Sequence, residues 1–160
     1  MPSKKSAVKP DNQPLYIVKK SELHGNGVFA ARKIAEDTQI IEYTGKRTSW
    51  KEALKRDPAD PDHPFHTFLF DLGDGRYVID AAIGGNDARW INHGCRPNCQ
   101  ALDEDGRIFI YALRDIKRGE ELLYDYGLIL EERHTAATKR DYACRCGAPN
   151  CRGTMLGKKR

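Results

Sequence analysis

The most concentrated chemistry in the sequence lies near its end. Cys144-Arg145-Cys146 is followed by Gly147-Ala148-Pro149-Asn150 and then Cys151. Two thiols one residue apart and a third beyond a Gly/Pro turn can curl around one ion. Tetrahedral structural zinc asks for four ligands, thiolate by preference, so one place stays open. Cys95 or Cys99, in Arg89-Trp90-Ile91-Asn92-His93-Gly94-Cys95-Arg96-Pro97-Asn98-Cys99, must fill it from roughly fifty residues away. The rival chemistry is a nucleophilic cysteine, Cys95 or Cys99, with His93 as its base. Such partners usually meet through the fold rather than as near neighbours in sequence.

A second set of groups is phenolic. Glu42-Tyr43-Thr44-Gly45 and Leu123-Tyr124-Asp125-Tyr126-Gly127 both place tyrosine at a strand end beside glycine. Each offers an aromatic wall and one hydroxyl that needs a partner. Gly25-Asn26-Gly27 is a weak signal alone, since it lacks the third glycine and the strand–helix setting of a dinucleotide loop.

The elements that must position these groups are short. Leu15-Tyr16-Ile17-Val18, Val28-Phe29-Ala30-Ala31 and Thr38-Gln39-Ile40-Ile41-Glu42-Tyr43 read as strands. Ser49-Trp50-Lys51-Glu52 fits a capping box and predicts a short helix to about residue 56. Residues 57–64, DPADPDHP, are loop. Residues 67–70 and 77–79 flank Gly73-Asp74-Gly75 as a hairpin, and a second hairpin turns at Asp105-Gly106 into an apolar, buried strand over residues 108–113. Residues 129–140 predict the longest helix. Many short strands, Gly-rich turns and few helices imply a mainly β fold of several short sheets.

Length and composition narrow the class. The 160 residues suit one domain with its own core. No apolar run approaches the ~20 residues of a membrane span, and the basic start has no apolar segment behind it, so neither signal peptide nor membrane association is expected. A cytoplasmic or nuclear, chromatin-associated setting is the expectation, where thiols stay reduced and metal binding is favoured over disulfides. Six of the 27 Lys and Arg side chains, but only one of the 23 acidic ones, lie in residues 1–11 and 157–160. The body is near neutral between basic tails, which offer at most weak, salt-sensitive contact with nucleic acid.

Taken together and in order, the motifs resemble those of SET-domain protein lysine methyltransferases with a post-SET zinc segment. The matching stretches are His24-Gly25-Asn26-Gly27-Val28-Phe29-Ala30, Glu42-Tyr43-Thr44-Gly45, Asp80, Gly85 through Asn98, Gly119-Glu120-Glu121-Leu122-Leu123-Tyr124-Asp125-Tyr126-Gly127, and the Cys144/Cys146/Cys151 cluster. The resemblance implies a β-clip SET fold with a threaded pseudoknot. It divides the chain into a basic tail (1–13), a catalytic domain (14–127), a connecting helix (128–141), a zinc segment (142–156) and a second basic tail (157–160).

The resemblance also implies roles. S-adenosylmethionine, leaving as S-adenosylhomocysteine, would lie along His24, Gly25, Asn26 and Gly27. Asn92 would bind its methionine part, the His93 backbone its adenine edge, and Leu156 or Met155 would pack on the adenine. Tyr43 and Tyr126 would border the donor, and Arg89 is a further candidate contact, with an ion pair holding the loop as its alternative. Tyr43, Tyr124 and Tyr126 would line the channel for a target lysine, with Tyr126 central to catalysis. Structural zinc would sit on Cys95, Cys144, Cys146 and Cys151, leaving Cys99 spare. A tyrosine at position 124 implies mono- or dimethylation. The substrate would be a lysine-bearing basic protein, a histone or a histone-like protein. Gly94 stands where the family commonly has Ser, so one loop hydrogen bond is expected to be missing. The region between Thr48 and Phe70 reads the substrate in the family and cannot be transferred; His63 and His66 within it are surface polar groups. The competing reading is a non-catalytic, zinc-stapled module that binds lysine peptides or nucleic acid.

Overall fold

The computed structural model describes residues 14–23, 25–54, 69–72, 76–126, 134–144, 146 and 148–157. Strands β1 (Tyr16–Lys20), β2 (Asn26–Ala30), β3 (Gln39–Tyr43) and β4 (Lys46–Ser49) come first. Helix α1 (Trp50–Leu54) is next, then β5 (Leu69–Asp71) and β6 (Tyr77–Asp80). A 3-10 turn (Asp87–Trp90) leads to β7 (Asn92–His93), β8 (Cys99–Glu104), β9 (Arg107–Ala112), β10 (Leu123–Tyr124) and helix α2 (Ala136–Asp141). They build four small sheets: β1–β2, β3–β9–β8, β4–β6–β5 and the parallel pair β7–β10. The mainly β architecture with few short helices is the expected one, and no helix is long and apolar enough to cross a membrane among the described residues.

Local chemistry explains several boundaries. Asp105 and Gly106 both have positive φ, 57° and 84°, which suits a two-residue turn whose twist matches its strands. The Asp103 carboxylate accepts the Gly106 N–H at 2.7 Å. The Ser49 hydroxyl accepts the Glu52 N–H at 3.1 Å, as the capping box requires. Of the helix expected over residues 129–140, residues 129–133 lie outside the described residues, and the described part is corrected at its ends. Thr135 is extended and its hydroxyl caps the Thr138 N–H at 3.1 Å, so the helix begins at Ala136 and ends at Asp141. A threonine cap fixes the start more strongly than the apolar spacing upstream. Residues 57–64, His63, His66, Thr67, Phe68 and the turn Gly73-Asp74-Gly75 lie outside the described residues.

The core joins sheets distant in sequence. Val28, Ile34, Ile91, Ile110, Ile116 and Leu122 are each at most 1% exposed. Strand β2 pairs with β1 on one side and with the segment before β10 on the other. There the Ala30 N–H reaches the Glu120 carbonyl (2.8 Å) and the Leu122 N–H the Val28 carbonyl (2.7 Å). Strands β7 and β10 run side by side, Leu123 opposite Asn92 and Tyr124 opposite His93. Buried Asn98 locks the crossing. Its amide donates to the Glu121 carbonyl (2.9 Å), its side-chain oxygen accepts the Leu123 N–H (2.8 Å), and its carbonyl accepts the Leu113 N–H (2.8 Å). Asn98 uses donor and acceptor capacity together, so hydrophobic replacement would orphan several buried groups.

Candidate functional site

The β7–β10 crossing brings three groups of side chains together. The first surrounds Asn92, which is buried. Its amide nitrogen donates to the Asn26 carbonyl (3.1 Å) and to Glu121 Oε2 (2.9 Å). The Ser21 hydroxyl donates to the same carboxylate at 2.9 Å. Thus the Gly25–Gly27 loop, Asn92 and Glu121 form one polar cluster. The two glycines serve different physics. Gly25 takes φ +44°, whereas a Cβ on Gly27 would stand 2.4 Å from Glu121 Oε2. His24 lies outside the described residues.

The second group is aromatic. Tyr43 and Tyr124 are buried, and Tyr126 packs against that core. Ring centroids are 4.9 Å apart for Tyr124–Tyr126, 5.2 Å for Tyr43–Phe70 and 6.3 Å for Phe70–Tyr124. The Tyr126 hydroxyl donates to the Ile91 carbonyl. Burial pushes all three phenols above their ordinary ionisation range, because a phenolate there would lose its water. Arg89 donates to the Ala81 carbonyl at 3.4 Å and lies 4.8 Å over the Trp90 ring.

The third group is the thiol cluster. The Sγ atoms of Cys95, Cys144, Cys146 and Cys151 all lie within 4.8 Å of one another. Zinc–sulfur bonds of about 2.3 Å in a tetrahedron demand sulfur pairs about 3.8 Å apart. The Cys95–Cys144 and Cys95–Cys151 separations are 3.7 and 3.9 Å. Backbone N–H groups of Cys95, Arg152 and Gly153 point at Cys146, Cys95 and Cys151 sulfurs (3.5, 3.3 and 3.3 Å), as thiolate acceptors favour. Burial pushes the Cys95 and Cys144 thiols up. At Cys146 burial opposes ionisation, but hydrogen bonds from the Cys95 and Ala148 backbone and the neighbouring thiols outweigh it and bring the thiol to about 7. A divalent cation among them would stabilise four thiolates, so the residues fit zinc. Cys99 stands apart, 1% exposed in β8.

His93 joins the second and third groups. It is buried; its Nδ1 accepts the Tyr126 N–H at 3.0 Å, and its Nε2 lies 3.4 Å from Cys95 Sγ. Burial holds the ring down near pKa 4 despite Asp125 nearby. The ring is therefore neutral, with its proton on Nε2, because Nδ1 is accepting. That tautomer cannot take a proton from Cys95, which removes the hydrolase arrangement. Burial also pushes the Cys99 thiol up to about 12, so it is a poor nucleophile at neutral pH.

The SET domain family matches residues 25–127. The chain belongs to the SET-domain family. Histone-lysine N-methyltransferase trr of Drosophila melanogaster is 41% identical over 142 residues, covering 85% of this chain and 6% of that protein. The H3 lysine-4 specific histone-lysine N-methyltransferase of Candida albicans is 41% identical over 141 residues, 85% of this chain and 13% of that protein. The crystal structure of the Chaetomium thermophilum polycomb repressive complex 2 matches with a TM-score of 0.66 at 35% identity, over 74% of this chain and 16% of that chain. This SET domain thus spans a small part of the relatives' length.

Four residues have no role in a motif-by-motif reading. Glu121 sits inside the Gly119–Gly127 stretch, but its partners Ser21 and Asn92 are remote in sequence. Phe70 reads as a strand residue, yet it bridges Tyr43 and Tyr124. The Arg152–Asp125 pair, with bonds of 2.7 and 3.0 Å, unites residues from two separate motifs. The one local signal is position: Arg152 comes directly after a cysteine of the thiol cluster and Asp125 directly before Tyr126.

Proposed function

We propose that this SET domain transfers a methyl group from S-adenosylmethionine to the side-chain amine of a lysine in a histone or histone-like basic protein, in a nuclear, chromatin-associated setting. The observation that carries the reading is the meeting of Tyr126 with the Asn92-His93 strand, where phenols, a buried amide and the Gly25–Gly27 loop converge.

Gly25, Asn26, Gly27 and Asn92 bind the donor's methionine part. The Asn92 amide nitrogen is committed to Asn26 and Glu121, which holds the side chain in one orientation. The His93 backbone and Leu156 serve the adenine end; Leu156 is buried, 2% exposed. Arg89 donates to the Ala81 carbonyl and is a further candidate donor contact. When bound, the donor supplies an electrophilic methyl on a positive sulfonium. The target lysine enters between Tyr43, Tyr124 and Tyr126, whose ring faces favour cations. The apolar walls lower the amine's pKa, so that it arrives neutral, and water carries its proton away. Tyr126 directs its own O–H to the Ile91 carbonyl, so its oxygen presents a lone pair to the amine N–H and orients the nitrogen. Alignment and exclusion of water supply the rate. The Tyr124 hydroxyl can hold a water where a further methyl would go, which limits the product to mono- or dimethyllysine.

Cys95, Cys144, Cys146 and Cys151 hold structural zinc. With four protein ligands no position would be left for water or substrate; through Cys95 the four thiolates would tie the C-terminal cysteine segment to the site. The test is radiolabelled methyl transfer to mixed histones, with calorimetry of S-adenosylmethionine binding. Label on histone lysine is expected. No label on any basic protein, together with no heat of donor binding, overturns the reading and leaves the binding-module alternative.

A further inference from the structure

The thiol cluster and the phenol pocket are linked by two side chains, and both links begin at one sulfur and end on one dipeptide. Cys95 Sγ receives the Arg152 backbone N–H at 3.3 Å, and the Arg152 guanidinium makes a two-pronged pair with the Asp125 carboxylate (2.7 and 3.0 Å). The same Cys95 Sγ lies 3.4 Å from His93 Nε2, and His93 Nδ1 accepts the Tyr126 N–H at 3.0 Å. Asp125 and Tyr126 are adjacent, just past the two-residue strand β10. The strand ladder ends at Tyr124, so the Tyr126 N–H is held by a side chain instead of a neighbouring strand. A two-residue ladder is too short to fix the main chain beyond it, and a planar fork on a carboxylate adds direction as well as attraction.

We propose that the Cys95 sulfur, the His93 imidazole and the Arg152–Asp125 pair form a frame that sets the position of the Tyr126 main chain, and that His93 and Arg152 are thereby positioning residues for methyl transfer. The frame ties the reaction to the state of the metal cluster. A metal-bound thiolate is a better acceptor than a thiol, so both donors on Cys95 are anchored while the cluster is loaded. When the ion leaves, both links slacken and Tyr126 loses its place, although no metal ligand touches substrate. This rests on the methyl-transfer reading of the same site.

The test is a charge-swap cycle on the zinc-loaded chain: Arg152→Glu, Asp125→Arg and the double variant. Zinc content, S-adenosylmethionine Kd, kcat and the hydrogen-exchange rate of the Tyr126 amide are read for each. The frame predicts that each single change lowers kcat at least tenfold and speeds Tyr126 exchange at least tenfold, with one zinc per chain retained and donor Kd within threefold. The double variant recovers both kcat and exchange to within threefold of wild type. Single variants with wild-type kcat and exchange overturn the proposal, as does a folded, zinc-loaded double variant that recovers neither. If Arg152→Glu fails to retain zinc, Arg152→Lys, which keeps charge and loses the fork, is read by the same criteria. The exchange arm needs no turnover. A wild-type chain that transfers no methyl therefore refutes the reaction, while Tyr126 exchange with and without zinc still decides the frame: equal rates overturn it.

Discussion

Gly27→Ala puts the cluster proposed to bind the donor under a defined load. Gly27 φ lies outside the left-handed region, so alanine meets no backbone penalty and the effect is steric. The new Cβ would stand 2.4 Å from Glu121 Oε2, 2.9 Å from Ser21 Cβ and 3.1 Å from Glu121 Cδ, where ordinary contact begins at 3.4 Å. The carboxylate must retreat by about 1 Å, too far for a 2.9 Å bond from Asn92 to survive. A hydrogen bond to a charged group is worth about 1.5–3 kcal/mol. Loss of that bond removes the charged partner that orients the Asn92 amide. At about 1.4 kcal/mol per factor of ten, donor affinity falls roughly 10- to 100-fold. Calorimetric titration of S-adenosylmethionine measures it, with thermal melting as the fold control. Glu121→Asp, which withdraws the carboxylate by one methylene, restores part of the affinity in the Gly27→Ala background. A single Gly27→Ala variant that binds donor within twofold of wild type refutes the claim that Glu121 orients Asn92.

The same geometry leads to three further outcomes. Tyr124→Phe removes the hydroxyl proposed to limit product size, so mass spectrometry is expected to find a higher methylation state; efficient trimethylation by wild type contradicts this. The phenol pKa values are raised by burial, so the neutral forms, and the stability they contribute, persist below pH 10 and are lost only as pH rises beyond it. The transfer rate therefore climbs with pH as the amine deprotonates, with no descending limb from tyrosine below about pH 10, and a fall there that disappears in Tyr126→Phe is the opposing result. A Cβ on Gly94 would meet Leu123 Cδ1 at 2.8 Å and Cβ at 3.0 Å; Gly94→Ala therefore costs about 1–3 kcal/mol of overpacking in denaturant unfolding. Leu123→Ala in that background recovers part of it, and additive losses in the double variant argue against the contact.

What the sequence makes legible depends on whether the controlling interaction is local. The Asp105-Gly106 turn and the Ser49 cap are short-range, and both stand as the residues imply. Thr135 offers the same kind of signal, a side-chain cap that starts the helix at Ala136, although the expected helix runs straight through it. Cys144, Cys146 and Cys151 are legible as metal ligands from spacing. The choice between Cys95 and Cys99 is not, because it turns on which thiol the β7–β8 connection directs toward the C-terminal segment; Cys95 joins the cluster and Cys99 enters the core. Gly94 reads as a departure that loses a hydroxyl, yet its immediate reason is Leu123 packed where a side chain would begin. Glu121 and Ser21 are 100 residues apart and become a pair only through β2 lying against the segment before β10. Phe70 becomes an aromatic neighbour of Tyr43 and Tyr124 through the packing of separate sheets. Partners supplied by tertiary packing carry no local pattern.

The most direct test of the central claim is tandem mass spectrometry of purified histones after incubation with this chain and S-adenosylmethionine, wild type beside Tyr126→Phe. The account predicts one or two methyl groups on lysine side-chain nitrogen with wild type, and a large drop with the variant. Methylation confined to other residue types, or lysine methylation undiminished in Tyr126→Phe, would contradict it.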